Sequence, residues 1–376
     1  MDYALTRIAY FGIIEQTREE KDAMQDGLFS GYWGKCHCQG IAVDKERKNV
    51  YYSFTTKLIK SDADGNIIGS VDNIIGHLGC IAYNDSDRKV YASLEYKNDS
   101  IGKGILKNLG GSVQSVTDGF YIAIFDVDKI DRMDMDAEKD GVMKTVYLKT
   151  VVDDYLGESK VGEATFKHVH GCSGIDGITF GPDFGSEKSS KKYLHVCYGV
   201  YSDLNREDND YQVILQYDTD GWDDYARPHT QSCMHESGPN EPRNKYFVYT
   251  GNTNWGIQNI EYDQFTGDYF ACVYRGNKPN FPNYPLFVID GSVKAKRTAL
   301  IGCGKEEGLV LALKNTGEGK DGLFGMEFEY GSTGIYSFGN GDFYVSHPSS
   351  KDGQNSATLY VYSLKITNGR WELVRK

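Results

Sequence analysis

His37-Cys-Gln-Gly-Ile-Ala-Val-Asp44 followed by Val50-Tyr-Tyr-Ser-Phe-Thr-Thr56 reads as two short apolar strands joined by a polar turn, and this unit recurs. Four further first strands share its layout: His77–Asn84, Gly174–Gly181, Gly256–Asp263 and Gly322–Glu329. Their fifth position is Ile or Met, and their seventh is Val, Tyr or Phe. The fourth is Gly40, Cys80, Gly177, Asn259 or Gly325, so no bulky group stands there. Small residues inside a strand mark the close approach of another backbone. The second strands carry Ser53, Ser93, Cys197, Cys272 and Ser346 in register, a coincidence that chance does not readily supply.

Internal repetition at this scale is the signature of a radial or stacked array. Third strands follow at Leu58–Asp62, Tyr121–Asp128, Tyr211–Asp218, Leu286–Asp290 and Leu359–Leu364. Fourth strands are expected at Ile67–Val71, Lys144–Val151, Tyr246–Thr250, Thr298–Ile301 and Trp371–Arg375. The reading is an all-β, five-bladed β-propeller of four antiparallel strands per blade. It spans 1–376 as one domain, with inner strands starting near 37, 77, 174, 256 and 322. Pairing of terminal strands is expected to close the ring, with Leu5–Ile14 joining the last blade so that no long edge stays open. A sixth blade would have to lie in Ser100–Val169, where no inner-strand pattern occurs.

Composition agrees. The chain of 376 residues holds 28 Tyr, 17 Phe and 43 Gly but 8 Pro, as aromatic strands separated by glycine-rich turns require. A formal charge of −12 disfavours a nucleic-acid partner, and no apolar run reaches membrane-spanning length. The eight cysteines fall mostly within apolar runs, where a thiol acts as a small hydrophobe. Reduced thiols and a cytoplasmic location are expected, although a secreted chain stripped of a signal peptide would look the same. A monomer is expected.

In such a ring the starts of the inner strands and the ends of the second strands lie on one face, around the axial mouth. That register gathers His37, His77, Gln39, Asp176 and Gln258 with Glu95, Arg275 and His347. The preceding loops add Trp33, His170 and Trp255. Imidazoles beside carboxylates suit proton transfer or a divalent metal ion. His37 and His77 are the candidate metal ligands for one ion in the axial channel. Asp176, Glu95 and His170 are the candidate catalytic groups. Arg275 would clamp an anion bidentately. Trp33 and Trp255 would stack on a flat ligand face, while Gln39, Gln258 and His347 would hydrogen-bond it. The blander account is that any propeller lines its wet axis with polar groups that water satisfies. Asp134–Asp140 lacks the sixth-position glycine and terminal Glu of a calcium loop and reads as a turn.

Ile41-Ala-Val-Asp-Lys-Glu-Arg-Lys-Asn-Val-Tyr51 resembles the inner hairpin of lactonase-like and NHL-like members of the β-propeller superfamily. The resemblance implies the fold, whereas function on this scaffold belongs to the site. Five-bladed members include glycoside hydrolases, nucleotide-hydrolysing apyrases and lectins. The glycosidase pattern implies three acids around the axis, and this register supplies Asp176 with Glu95. The expectation is therefore a hydrolase, metal-assisted, acting on a small polar substrate that is sugar-like or phosphorylated. The alternatives are a glycan- or metabolite-binding module without turnover, and a protein-docking scaffold carried by the long loops Lys97–Gly119 and Ser202–Asn244.

Overall fold

The computed structural model describes residues 27–109 and 117–376. Five sheets form the blades of a propeller, antiparallel except where Val71–Asp72 pairs with Met135–Asp136 and Tyr246–Val248 pairs with Leu309–Leu311. The inner strands Cys38–Val43, His77–Asn84, Cys172–Pro182, Thr253–Asp263 and Ile335–Ser337 each contact the next, and the last returns to the first. The ring is thus closed at its centre.

The packing positions inferred from the repeat account for this closeness. A Cβ placed on Gly40 would lie 2.8 Å from Cys80 Cα, and one on Gly177 would lie 2.9 Å from Ile257 Cγ2 of the next blade. Neither neighbour has room to give, since interiors are close-packed. Ser53, Ser93, Cys197, Cys272 and Ser346 are all fully buried. Two of the hydroxyls stitch one blade to the next. Ser53 Oγ donates to the carbonyl of Gly79 at 2.6 Å, and Ser93 Oγ donates to the carbonyl of Asp176 at 2.7 Å. Small side chains at these positions therefore do two things: they admit a neighbouring strand, and they satisfy its inward-facing backbone.

The fifth blade begins later than the repeat implied. Leu323–Phe324 pairs with Gly319–Lys320, and Met326 bridges to Leu286, so this segment flanks blade four. The inner strand of blade five is Ile335–Ser337, which pairs with Asp342–Lys351. Its fourth-position residue is Gly334, whose carbonyl accepts from Ser346 N, opposite Ser346 as Gly40 is opposite Ser53. The start near 322 is corrected to 331. Ser337 occupies the seventh position, where the other four blades have an apolar side chain, and that polar residue hid the true strand.

Blade four has three regular strands, ending with Leu286–Ile289. The fourth strand expected at Thr298–Ile301 instead lies in Lys296–Ala299 at the edge of blade three, beyond Glu307–Leu311. Blade three thereby grows to six strands. The expected strand Lys144–Val151 is Met143–Tyr147 running into a helix, Lys149–Leu156. At the amino-terminal side, Leu28–Phe29 pairs with Leu359 and Thr358 of blade five. Leu5–Ile14, expected in that role, lies outside the described residues.

The described parts of the long insertions are tied to the blades. Lys97–Gly119 holds a helix, Ser100–Asn108, capped by the Asp99 carboxylate, which accepts from Ile101 and Gly102 N–H at 2.9 Å. The stretch 220–244 braces blade two. There Arg227–Pro228 adds an edge strand, and buried His229 bonds Thr145 Oγ1 and Tyr96 OH at 2.9 and 3.0 Å. All eight cysteines are free thiols.

Candidate functional site at the axial mouth

Blades two and three bring four ionisable groups together at the mouth. His77 opens the inner strand of blade two, and Glu95 lies opposite it in the second strand. Asp176 comes from the third position of blade three's inner strand. Lys97 follows the second strand of blade two. His77 Nδ1 is 3.3 Å from Glu95 Oε1 and 3.8 Å from Asp176 Oδ1. Lys97 Nζ reaches Glu95 Oε1 at 2.5 Å and the Ser173 carbonyl at 2.8 Å. Glu95 Oε2 accepts from Ile175 N–H at 3.0 Å, and Asp176 Oδ2 accepts from Gln258 Nε2 at 3.1 Å.

The cause of this proximity is local. Gly174 adopts φ 122°, and a Cβ there would collide with Glu95 Oε2. Glycine lets the inner strand bend around the carboxylate, a conformation that other residues rarely adopt. Glu95 is thereby enclosed with its counter-ion.

The four groups divide by environment. Burial works against the charge on Glu95, yet the Lys97 ammonium and His77 outweigh it and hold its carboxyl below the usual range. Burial likewise opposes charge on His77, but the bond to Glu95 and the Asp176 charge raise its affinity for a proton. Asp176 is different. Burial pushes its carboxyl up to about 7, with Glu95 adding in the same direction and His77 opposing. A carboxyl that exchanges its proton near neutrality is suited to acid–base work.

The remaining expected residues divide sharply. Gln258 joins the cluster, bonding Asp176 and the Trp255 carbonyl at 3.1 and 2.8 Å. Trp255 stands at the rim, 37% exposed in a left-handed conformation, with its ring edge-on to Tyr201 at 6.0 Å. Gln39 bonds Thr55 Oγ1 at 3.1 Å. His37 is exposed and lies in no group with metal-ligand geometry. Arg275 is paired bidentately with Glu327. His347 is stacked on Tyr330 at 3.6 Å and bonded to Tyr362 OH at 2.9 Å, inside blade five. Trp33 donates its Nε1–H to the Ser30 carbonyl at 2.5 Å and lies beside Phe54.

His170 also leaves the mouth. It packs on Phe247, from the fourth strand of blade three, and sits between Cys303 and Glu306. Among the described residues this is the one group of three or more His, Cys, Asp or Glu that is able to hold a metal ion. The ion expected on the axis between His37 and His77 therefore has no such group there. Cys303 and Glu306 escaped the sequence reading, although Gly302-Cys-Gly-Lys-Glu306 carries a signal. It is a Cys-x-x-Glu spacing on a turn flanked by glycines.

The opposite mouth holds a cavity of about 340 Å3 lined from all five blades, among them Arg47, Asp85, Lys192, Glu261 and Tyr336. Glu261 accepts from Ser337 N–H at 2.9 Å and from Thr179 Oγ1 at 3.3 Å. Burial pushes its carboxyl up to about 8. This end was not singled out from the sequence, where the register was followed only to the starts of the inner strands.

No protein-family model matches the chain, and no curated protein matches it. Among solved structures it is similar to the Dos1 propeller at 11% identity, covering 88% of this chain and 81% of that one, with a TM-score of 0.30. It is also similar to the Cps50 (Swd1) β-propeller domain of Myceliophteria thermophila at 10% identity, with coverages of 87% and 84% and a TM-score of 0.32. A third is the holo form of the PQQ domain of pyranose dehydrogenase from Coprinopsis cinerea, at 11% identity, 85% and 81% coverage and a TM-score of 0.33.

Proposed function

We propose that the axial mouth is an acid–base site that hydrolyses a small, neutral, sugar-like substrate. The observation that carries this reading is Asp176, whose carboxyl is raised to about 7 beside His77 while 13% of its side chain stays exposed. Asp176 donates its proton to the leaving oxygen, and the carboxylate so formed takes a proton from the attacking water. His77 steadies the ionised form. Glu95 and Lys97 neutralise each other and hold the imidazole in place.

Charge selects the substrate class. Lys97 is spent on Glu95 and Ser173, and Arg275 on Glu327. No cation in the cluster stays free for a phosphate, which favours a neutral ligand over a phosphorylated one. Trp255 with Tyr201 offers an aromatic rim for a sugar face.

The test is turnover of a panel of nitrophenyl glycosides and esters, with Asp176→Asn beside wild type. Hydrolysis with a pH limb near 7 that disappears in Asp176→Asn supports the reading. Absence of turnover across the panel, or an unchanged rate in the variant, overturns it. A second reading rests on the exposed Trp255 indole: a glycan-binding module on the same mouth. It predicts saturable binding without hydrolysis, weakened by Trp255→Ala and indifferent to Asp176→Asn.

A further inference from the structure

A second site lies away from the axis, where the loop before blade three's inner strand meets the turn that ends its outer edge. That turn is tightly built. Cys303 N donates to Leu300 O at 3.3 Å, Glu306 N to Cys303 O at 3.2 Å, and Leu300 N to Glu306 O at 2.9 Å. Gly302 and Gly304 flank the cysteine at φ 75° and 66°. A Cβ on Gly302 would lie 2.6 Å from Glu207 Cβ, so the chain is pressed against its neighbour there. The result is a knuckle that points the Cys303 thiol and the Glu306 carboxylate the same way.

His170 completes the group from 133 residues upstream. Its side chain is buried, and its own backbone is left-handed at φ 52°. Nε2 is 3.1 Å from Glu306 Oε1, and Nδ1 is 3.9 Å from Cys303 Sγ. One donor atom from each of the three residues falls within 4.8 Å of the others. Glu306 is 46% exposed and lines a cleft of about 610 Å3, which gives an ion a way in and leaves one coordination position to water.

We propose that His170, Cys303 and Glu306 bind one Zn2+ ion with water as fourth ligand, clamping the outer edge of blade three to the loop that enters its inner strand. The donor set decides the metal. Magnesium and calcium prefer oxygen donors alone, whereas one sulfur, one nitrogen and one oxygen suit borderline-soft zinc. Tetrahedral bonds of 2.0–2.3 Å need donors about 3.5 Å apart. Rotation of the half-exposed Glu306 provides that contraction, and the imidazole contributes a single nitrogen. Binding displaces the thiol proton, so one proton is released for each ion taken up. The buried carboxylates Asp208 and Asp210 stand close by and add to the negative potential, although each has its own cationic partner, Arg206 or Lys278.

The test uses the full chain, stripped with a chelator and titrated with Zn2+ against a chromophoric competitor. A Cys233→Ser background removes the exposed thiol. One ion per chain is expected, with a rise in unfolding temperature. Cobalt substitution should give a sulfur-to-metal charge-transfer band that Cys303→Ser abolishes. Glu306→Gln, at a half-exposed position that does not endanger folding, should weaken affinity by at least the roughly 10–100-fold that loss of an outer-shell partner costs. Sub-stoichiometric uptake, or stoichiometric uptake with unchanged affinity in Glu306→Gln, refutes the site. The same three residues would then form a plain thiol–imidazole–carboxylate hydrogen-bonded chain.

Discussion

Replacing Asp176 by Asn should stabilise the protein in alkaline solution and do nearly nothing in acid. The carboxyl titrates at 3.8 when exposed and at about 7 in the folded chain, chiefly because burial disfavours its charge. The folded chain therefore holds this proton more tightly than the unfolded chain does. The stability so conferred is complete below pH ~4 and is lost as pH rises through 7. Above that, the shift corresponds to a penalty of about 4 kcal/mol at 1.36 kcal/mol per pH unit. Asparagine carries no charge and escapes it. It keeps an oxygen for the Gln258 amide, but it also deprives His77 of a carboxylate partner, which offsets part of the gain. A net stabilisation of about 2 kcal/mol at pH 9 is expected, falling to about zero near pH 4, below which the proton is held in both states. For 376 residues the unfolding entropy gives about 1.3 °C per kcal/mol, so Tm should rise by about 3 °C at the higher pH. Thermal unfolding followed by circular dichroism at both pH values reads this directly. Equal effects at pH 4 and 9, or a less stable variant at pH 9, would refute the assignment of a burial-raised carboxyl.

Other outcomes follow from the same structure. Gly40→Ala forces a methyl group against the backbone of Cys80 and Ile81, and chemical denaturation should show a loss of about 1–3 kcal/mol or more. Ser93→Ala leaves the Asp176 carbonyl without its donor, at a cost of about 1–3 kcal/mol in the same assay. Arg275→Ala should change stability by less than about 1 kcal/mol, because its pair with Glu327 is half-exposed, and should leave ligand binding at the mouth unaltered. His195, His229 and His347 are held neutral by burial, with values lowered from 6.5 to about 3, 4 and 4. Because the unfolded chain binds these protons first, stability present above pH ~6.5 should fall as pH drops toward 4. Denaturation midpoints between pH 7 and 4.5 measure that loss, and a flat profile would contradict it.

The five-fold ring was legible because packing imposes the same demand on every blade. Gly40, Cys80 and Gly177 must be small for the neighbouring strand to approach, and the sequence repeats what the geometry repeats. Blade five was misplaced because Leu323-Phe-Gly-Met326 imitates the inner pattern, while the true strand carries Ser337 where an apolar residue was expected. Neither imitation nor exception can be told apart without knowing which strand Ser346 faces. The mouth was legible in part. His77, Glu95, Asp176 and Gln258 follow from register alone, since alternation and antiparallel pairing place them on one face. Lys97 lies one step past its strand, and its role depends on a glycine bend at position 174 that strand periodicity does not encode. Arg275 and His347 meet Glu327 and Tyr362 outside the cluster, because register says which end of a strand a residue occupies, not which partner it finds there. The His170–Cys303–Glu306 group joins residues 133 positions apart through an edge strand that crossed from its expected blade to another.

Ser93 and Asp176 share one further property. The hydroxyl that stitches blade two to blade three bonds the main-chain carbonyl of Asp176, whose side chain is the group that exchanges a proton near neutrality. The acid is therefore mounted on the joint between two blades rather than within either one. Recombining this protein blade by blade would preserve each sheet yet break the mounting at that joint. Any change that loosens the joint should move the carboxyl relative to His77 before it unfolds anything. Acidity at position 176 would then report strain in the ring, and a nuclear-resonance titration of that one carboxyl would serve as a gauge of how well the propeller is closed.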